Sequence, residues 1–245
     1  MLGVIGGTGL NDPHFLQEVQ LQQVATPYDP QSVQILKGVF QGRPVAFLPR
    51  HGQGHKIPPH RINYRANLWA LHAIGVNAVI GVNAVGGLHP ELGPGALAVP
   101  DQIIDYSWGR EHTFFADGLE HVTHIDFTHP YDEALRQRLI RACGDTPVLP
   151  GGVYACTQGP RLESAAEIQR LQRDGCDMVG MTGMPEAALA RELGLAYASV
   201  CMVVNAAAGL GDAPISTAGM HAVLAREAAV VSALLRHLLE ANYGA

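Results

Sequence analysis

Charge is scarce in this sequence. Only 16% of its 245 residues are Asp, Glu, Lys or Arg, against roughly 25% in an ordinary soluble domain, while 47% are hydrophobic. That balance excludes a disordered, solvating chain. Positive charge is the scarcer sign: 16 Lys plus Arg face 22 Asp plus Glu, for a formal net charge of −6, and no basic run occurs. The chain lacks the field that draws a nucleic-acid polymer or an anionic membrane, so neither is expected as a partner. Cysteine is scarce as well. Cys143, Cys156, Cys176 and Cys201 have no close spacing and sit in apolar or helix-like settings, which reads as reduced thiols rather than a disulfide framework. A basic, apolar leader is also missing, because the chain starts on a strand-like Leu2-Gly3-Val4-Ile5. The apolar run 196–208 is too short to cross a bilayer and contains Asn205. A cytoplasmic protein is expected.

What is present is alternation. Strands are expected over 2–6, 33–40, 44–48, 77–83, 153–156, 176–181 and 195–205. Several are continuously apolar, as strands covered on both faces are. Helices are expected over 61–74, 131–142, 163–173, 185–193 and 217–243, with Pro185 in a first-turn position and Gly194 closing its helix. No repeat or linker-like tract divides the chain, so one α/β domain over 1–245 is expected. Ligands of such folds bind beyond the carboxyl ends of strands. The segment 110–132, with His112, His121, His124 and His129, has no clean periodicity and reads as a long loop; its spacings match no common metal site.

Six strand ends carry polar or glycine-rich sequence. Gly6-Gly7-Thr8-Gly9 follows the first strand, where main-chain N–H groups and the Thr8 hydroxyl suit an anion. It is no dinucleotide fingerprint, because Asp12 and Pro13 stand where a third glycine and a helix belong. Arg50-His51-Gly52, with His55 after it, offers a donor fork at a strand end. Asn83-Ala84-Val85-Gly86-Gly87 ends another strand in small residues. The others are Thr157-Gln158-Gly159-Pro160-Arg161-Leu162-Glu163, Met181-Thr182-Gly183-Met184-Pro185-Glu186, and Asn205 at the end of a buried strand. Glu163 has a second reading as a plain helix cap.

In this order, Gly6-Gly7-Thr8-Gly9, Arg50-His51-Gly52, Pro59, Asn63-Tyr64, Gly159-Pro160-Arg161, Met181-Thr182 and Pro185-Glu186 resemble the trimeric purine nucleoside phosphorylase and methylthioadenosine phosphorylase family over nearly the whole chain. The resemblance implies a single-domain phosphorylase/hydrolase-like fold, a twisted mixed central sheet flanked by helices. It also implies a homotrimer that splits a purine nucleoside with inorganic phosphate as co-substrate, with no metal and no organic cofactor. The implied phosphate residues are Thr8, Arg50, His51, Ala84 and Thr182. The implied nucleoside residues are Asn83, Ala84, Leu162, Glu163, Met181, Asn205, Met220 and His221, with Asn205, Glu163 and His51 closest to the chemistry.

Two positions bear on the base. Members that take 6-aminopurines carry Asp where this chain has Asn205, and methylthioadenosine members lack an acid at the place of Glu163. Asn can accept from N7–H and donate to a 6-oxo oxygen, and an ionised Glu accepts from N1–H. Near the last helix the 5′ group is met by Met220, which suits a methylthio group, or by His221, which suits a hydroxyl. An oxopurine-type pocket on a methylthio-type frame resembles the bacterial S-methyl-5′-thioinosine phosphorylases, so cleavage of 5′-methylthioinosine is expected. A 5′-methylthioadenosine phosphorylase, a general inosine and guanosine phosphorylase, and a non-catalytic purine-nucleoside-binding protein remain alternatives.

Overall fold

A computed structural model describes residues 1–7, 13, 15–211 and 214–241. The Thr8 position lies outside these described residues. The strands are β1 (Leu2–Gly6), β2 (Gln17–Thr26), β3 (Asp29–Phe40), β4 (Arg43–Pro49), β5 (Ala78–Gly87), β6 (Leu97–Ala98), β7 (Gln102–Asp105), β8 (Val148–Leu149), β9 (Val153–Cys156), β10 (Met178–Gly180) and β11 (Ala196–Ala206). The helices are α1 (Tyr64–Ala73), α2 (Glu133–Ala142), α3 (Ala165–Arg173), α4 (Glu186–Glu192) and α5 (Thr217–Glu240), with a 3-10 turn at Pro59–Arg61. Most are the expected elements with shifted ends. Pro185 precedes α4 rather than opening its first turn, and Gly194 follows the cap at Leu193 with a positive φ of 66°.

The strands form one mixed sheet in the order β2-β3-β4-β1-β5-β10-β9-β7, with β11 also paired to β5 and onward to β6 and β8. Helices cover both faces. In β1, β5 and β11, neighbours in sequence point to opposite cores: Ile5, Val79 and Tyr197 join α1 and α4, whereas Val4, Ile80 and Ala198 join α2 and α5. Two covered faces leave no exposed side on these strands, which explains their unbroken apolar runs and the low charged fraction. The edge strand β2 was not expected. It reads Gln17-Glu18-Val19-Gln20-Leu21-Gln22-Gln23 and is mostly exposed, so it carries no apolar run to announce it. Helix α5 is long and apolar enough to cross a membrane, yet Leu224, Val231, Leu235 and Leu238 lay one of its faces into the core.

One irregularity positions the site. β11 follows β5 along its whole length, from Ala196↔Ala78 to Ala206↔Gly87. The other edge of β5 is shared: parallel β1 covers it only as far as Gly81, and antiparallel β10 begins at Gly86. Main chain from Val82 to Val85 therefore has no neighbouring strand on that side. This is a topological switch point, where the sheet opens and ligands of α/β folds bind.

Candidate active site

Arg50 fills the base of the opening. Its N–H donates to the Gly6 carbonyl oxygen at 3.0 Å, which carries the β1–β4 ladder one residue past β4 and fixes where the side chain departs. The guanidinium is fully buried against an equally buried carboxylate: Nε and Nη2 donate to the two oxygens of Glu186 at 2.7 and 2.8 Å, and Nη1 donates to the Val82 carbonyl oxygen at 3.0 Å. Three of its five N–H groups are thus committed, and one each on Nη1 and Nη2 remains for a ligand. Tyr197 Oη donates to Glu186 at 2.7 Å, completing the carboxylate's shell. Burial alone would lower the Arg50 pKa, and Glu186 more than offsets it, so the cation persists. Burial, with Glu186 beside it, also holds the Tyr197 phenol well above its ordinary range, so it stays a donor.

Room for this cluster comes from glycine. A Cβ on Gly81 would stand 2.4 Å from Tyr197 Oη and 2.9 Å from Glu186 Oε1, and one on Gly7 would stand 2.5 Å from the Val82 carbonyl oxygen. At Gly81 the missing side chain makes room for the protein's own ion pair. Gly81→Ala is expected to cost about 1–3 kcal/mol through overpacking and to lower turnover with it, as thermal melting and activity measured together will show.

Thr182 is backed by a second buried chain. Its Oγ1 donates to Asn83 Oδ1 at 2.9 Å, and Asn83 Nδ2 donates to Ser199 Oγ at 2.6 Å. With the amide turned over, the same contacts run from Ser199 to Thr182 and free the Thr182 hydroxyl hydrogen for an anion. Asn83 is buried and spends both polar ends here. It supports Thr182 and is not among the residues that line the neighbouring cavity.

The cavity measures about 360 Å³, and its wall brings together Ala84, Leu162, Glu163, Met181, Asn205, Met220 and His221. His55 lines it too, and packs against the His51 ring at 4.2 Å between centroids with the planes tilted by 46°. Both candidate 5′ residues, Met220 and His221, are therefore on the wall. A larger cleft of about 440 Å³ adjoins it across Glu163, walled by Tyr106, Trp108 and Arg170; it holds none of Arg50, His51, Thr182 or Asn205.

Glu163 is not the cap of α3. Ser164 is, in a reciprocal capping box with Glu167. Glu163 instead accepts from Thr157 Oγ1 at 2.6 Å through Oε1, and Oε2 has no partner among the described residues. Asn205 donates one Nδ2 hydrogen to the Ala206 carbonyl oxygen at 2.6 Å and keeps its other hydrogen and its Oδ1.

Arg110 was not foreseen. It is buried at the start of the irregular segment and donates to the carbonyl oxygens of Thr157, Gln158, Met181 and Met184. One planar fork thus ties the loop that carries Glu163 to the loop that carries Thr182. Nothing in a lone Arg beside Glu111 signalled this, and Tyr197 and Ser199 gave no signal either, since each reads as part of an apolar strand. Glu186 was visible only as the residue after Pro185. Among the described residues no cluster of His, Cys, Asp or Glu could hold a metal ion.

Residues 1–240 match the family model described as the Phosphorylase superfamily. A relative from Pseudomonas syringae pv. tomato named probable S-methyl-5′-thioinosine phosphorylase is 54% identical over 98% of each chain. A probable 6-oxopurine nucleoside phosphorylase from Dictyoglomus turgidum is 48% identical over 88% of this chain and 81% of its own. Among solved structures, methylthioadenosine phosphorylase from Schistosoma mansoni in complex with adenine superposes with a TM-score of 0.92 at 32% identity, over 98% of this chain and 90% of that one. The family model matched over residues 1–240, with relatives 48–54% identical over most of the chain, makes this chain a member of the phosphorylase superfamily.

Proposed function

We propose that the protein cleaves 5′-methylthioinosine with inorganic phosphate to hypoxanthine and 5-methylthioribose 1-phosphate, in purine salvage. A phosphate oxygen forms the bond to C1′, the C1′–N9 bond breaks with its electron pair on the purine, and the phosphate's proton ends on the base. The two spare N–H groups of Arg50, the Thr182 hydroxyl, His51, the Ala84 main chain and Thr8 would hold the phosphate. Fixed donors around the anion, beneath a sugar that becomes cationic, lower the barrier by position and electrostatics. The single observation that carries the base assignment is that Glu163 and Asn205 line one cavity and keep atoms without a partner among the described residues; Oε2 would accept from N1–H, an Nδ2 hydrogen would go to O6, and Oδ1 would accept from N7–H. Met220, Leu224 and Ile215 on the same wall suit a methylthio group.

The likeness to methylthioadenosine phosphorylase favours a second reading, cleavage of 5′-methylthioadenosine. Glu163 weighs against it, because adenine offers only a lone pair at N1. Action as a homotrimer is part of the proposal, supported by exposed apolar side chains such as Trp108 and Val122. A cytoplasmic location is supported by four free, buried cysteines. Phosphate is the co-substrate, and the proposed reaction draws on no resident metal or cofactor. Chromatography of methylthioinosine reactions tests it: hypoxanthine should appear in proportion to added phosphate, with a sugar phosphate as co-product. Equal release without phosphate, giving free sugar, would make the enzyme a hydrolase.

A further inference from the structure

Thr157 follows β9 directly and stands at the start of the loop that carries Glu163. Its main chain is held on both sides: the N–H donates to the Gly180 carbonyl oxygen at 2.8 Å, and its own carbonyl oxygen accepts from Arg110 Nη2 at 3.1 Å. A β-branched side chain on a fixed main chain has little rotamer freedom, so the hydroxyl is presented from a set position. That hydroxyl has one hydrogen and two acceptors in reach, Glu163 Oε1 at 2.6 Å and the Gly180 carbonyl oxygen at 3.3 Å. The shorter contact, to a charged group, takes it. Glu163 is a wall between two cavities, lining both the nucleoside cavity and the larger cleft beside it, whereas Thr157 lines the cleft and is not among the residues of the nucleoside cavity. Thr157 therefore grips the carboxylate from the cleft side. Arg161 and Arg170 line the same cleft, so a carboxylate that is not gripped has cations to turn to there. Glu163 already helps to raise the Arg161 pKa, behind the larger effect of the hydrogen bond and charge of Glu167.

We propose that Thr157 sets the base preference of the site without touching the base: its hydroxyl fixes the Glu163 carboxylate in the wall between the two cavities, where it meets N1 of the purine. This rests on the 6-oxopurine reading above and deepens it. Thr157 is a positioning residue, and Glu163 is the group it positions. With Oε1 spent on the hydroxyl, Oε2 is the oxygen left for the base. A fixed carboxylate rewards N1–H of a 6-oxopurine and sets charge against the N1 lone pair of adenine. A carboxylate free to turn toward the arginines of the cleft does less of both, so the two substrates converge.

The test is the ratio of kcat/KM for methylthioinosine over methylthioadenosine at saturating phosphate. Thr157→Val keeps the shape and removes the donor, and the ratio should fall by about fivefold or more. Thr157→Ala, which removes the hydroxyl with less bulk, should show the same fall. Thr157→Ser keeps the hydroxyl and should stay within about twofold of wild type. A general loosening of the loop would slow both substrates together and leave the ratio where it was. In a Glu163→Gln background, Thr157→Val should move the ratio by less than about twofold, because the charge it positions is gone. An unchanged ratio in the folded Val and Ala variants, a Ser variant as low as these two, or an undiminished fall in the Glu163→Gln background overturns the proposal. Failure of the base reading looks different: a wild-type enzyme that prefers methylthioadenosine, or a ratio unmoved by Glu163→Gln alone, overturns that reading and this inference with it.

Discussion

Arg50→Ala is expected to lower kcat/KM for phosphate by roughly a hundred- to a thousandfold, the scale of losing preorganised donors at an anionic centre, and to destabilise the fold by about 3–5 kcal/mol. The second effect follows because Glu186, fully buried, keeps among the described residues only Tyr197 as a partner once the guanidinium is gone. A single variant confounds the two losses. Replacing the whole cluster, as Arg50→Met with Glu186→Leu and Tyr197→Phe, removes every buried charge and polar end together, and apolar replacements of buried ion pairs are often neutral or stabilising. Melting temperature should therefore recover toward wild type while phosphorolysis remains lost. Turnover that survives in the triple variant would mean that the Arg50–Glu186 pair is scaffold only. Retained nucleoside binding with lost turnover in Arg50→Ala would separate this enzyme from a mere nucleoside-binding protein, which has no use for the cradle.

Asn205→Asp is the second large effect. In wild type the Asn205 amide still has one hydrogen and its Oδ1 to offer a base; a carboxyl group in its place accepts from an exocyclic amine and, when protonated, donates to N7. The ratio of kcat/KM for methylthioinosine over methylthioadenosine should fall by roughly a hundredfold, as two mismatches of about 1–3 kcal/mol each are exchanged. Glu163→Gln should act in the same direction by about tenfold, because an amide can face either N1–H or the bare N1 of adenine. The two residues meet different edges of one base, so their effects on the ratio should multiply. A ratio unmoved by Asn205→Asp would show that this residue does not read the base.

The frame of this fold was legible because both faces of β1, β5 and β11 are covered: unbroken apolar runs ending in glycine, Arg-His or Asn placed most strands and drew attention to their ends. Edge strand β2 was not, since a glutamine-rich strand open to solvent has no run to find. Of the site, the residues that face the cavity were largely visible in motifs. The ones behind them were not. Glu186, Ser199 and Arg110 act through partners 47 to 136 positions away, and a buried polar group in an apolar strand looks, in sequence, like any other strand residue. Tyr197 is an exception in distance, reaching Glu186 at the start of α4 only 11 positions back. Asn83 was expected to end its strand, but β5 runs on to Gly87, and neither that nor the direction of the amide, toward Thr182 and Ser199, was legible.

The central claim is that Glu163 and Asn205 make this a 6-oxopurine enzyme within a methylthio-type frame. Steady-state kinetics with saturating phosphate on methylthioinosine, methylthioadenosine, inosine and guanosine tests it most directly. The account predicts that methylthioinosine has the highest kcat/KM, with methylthioadenosine at least about tenfold lower and inosine and guanosine also below it. Faster cleavage of methylthioadenosine than of methylthioinosine would contradict it.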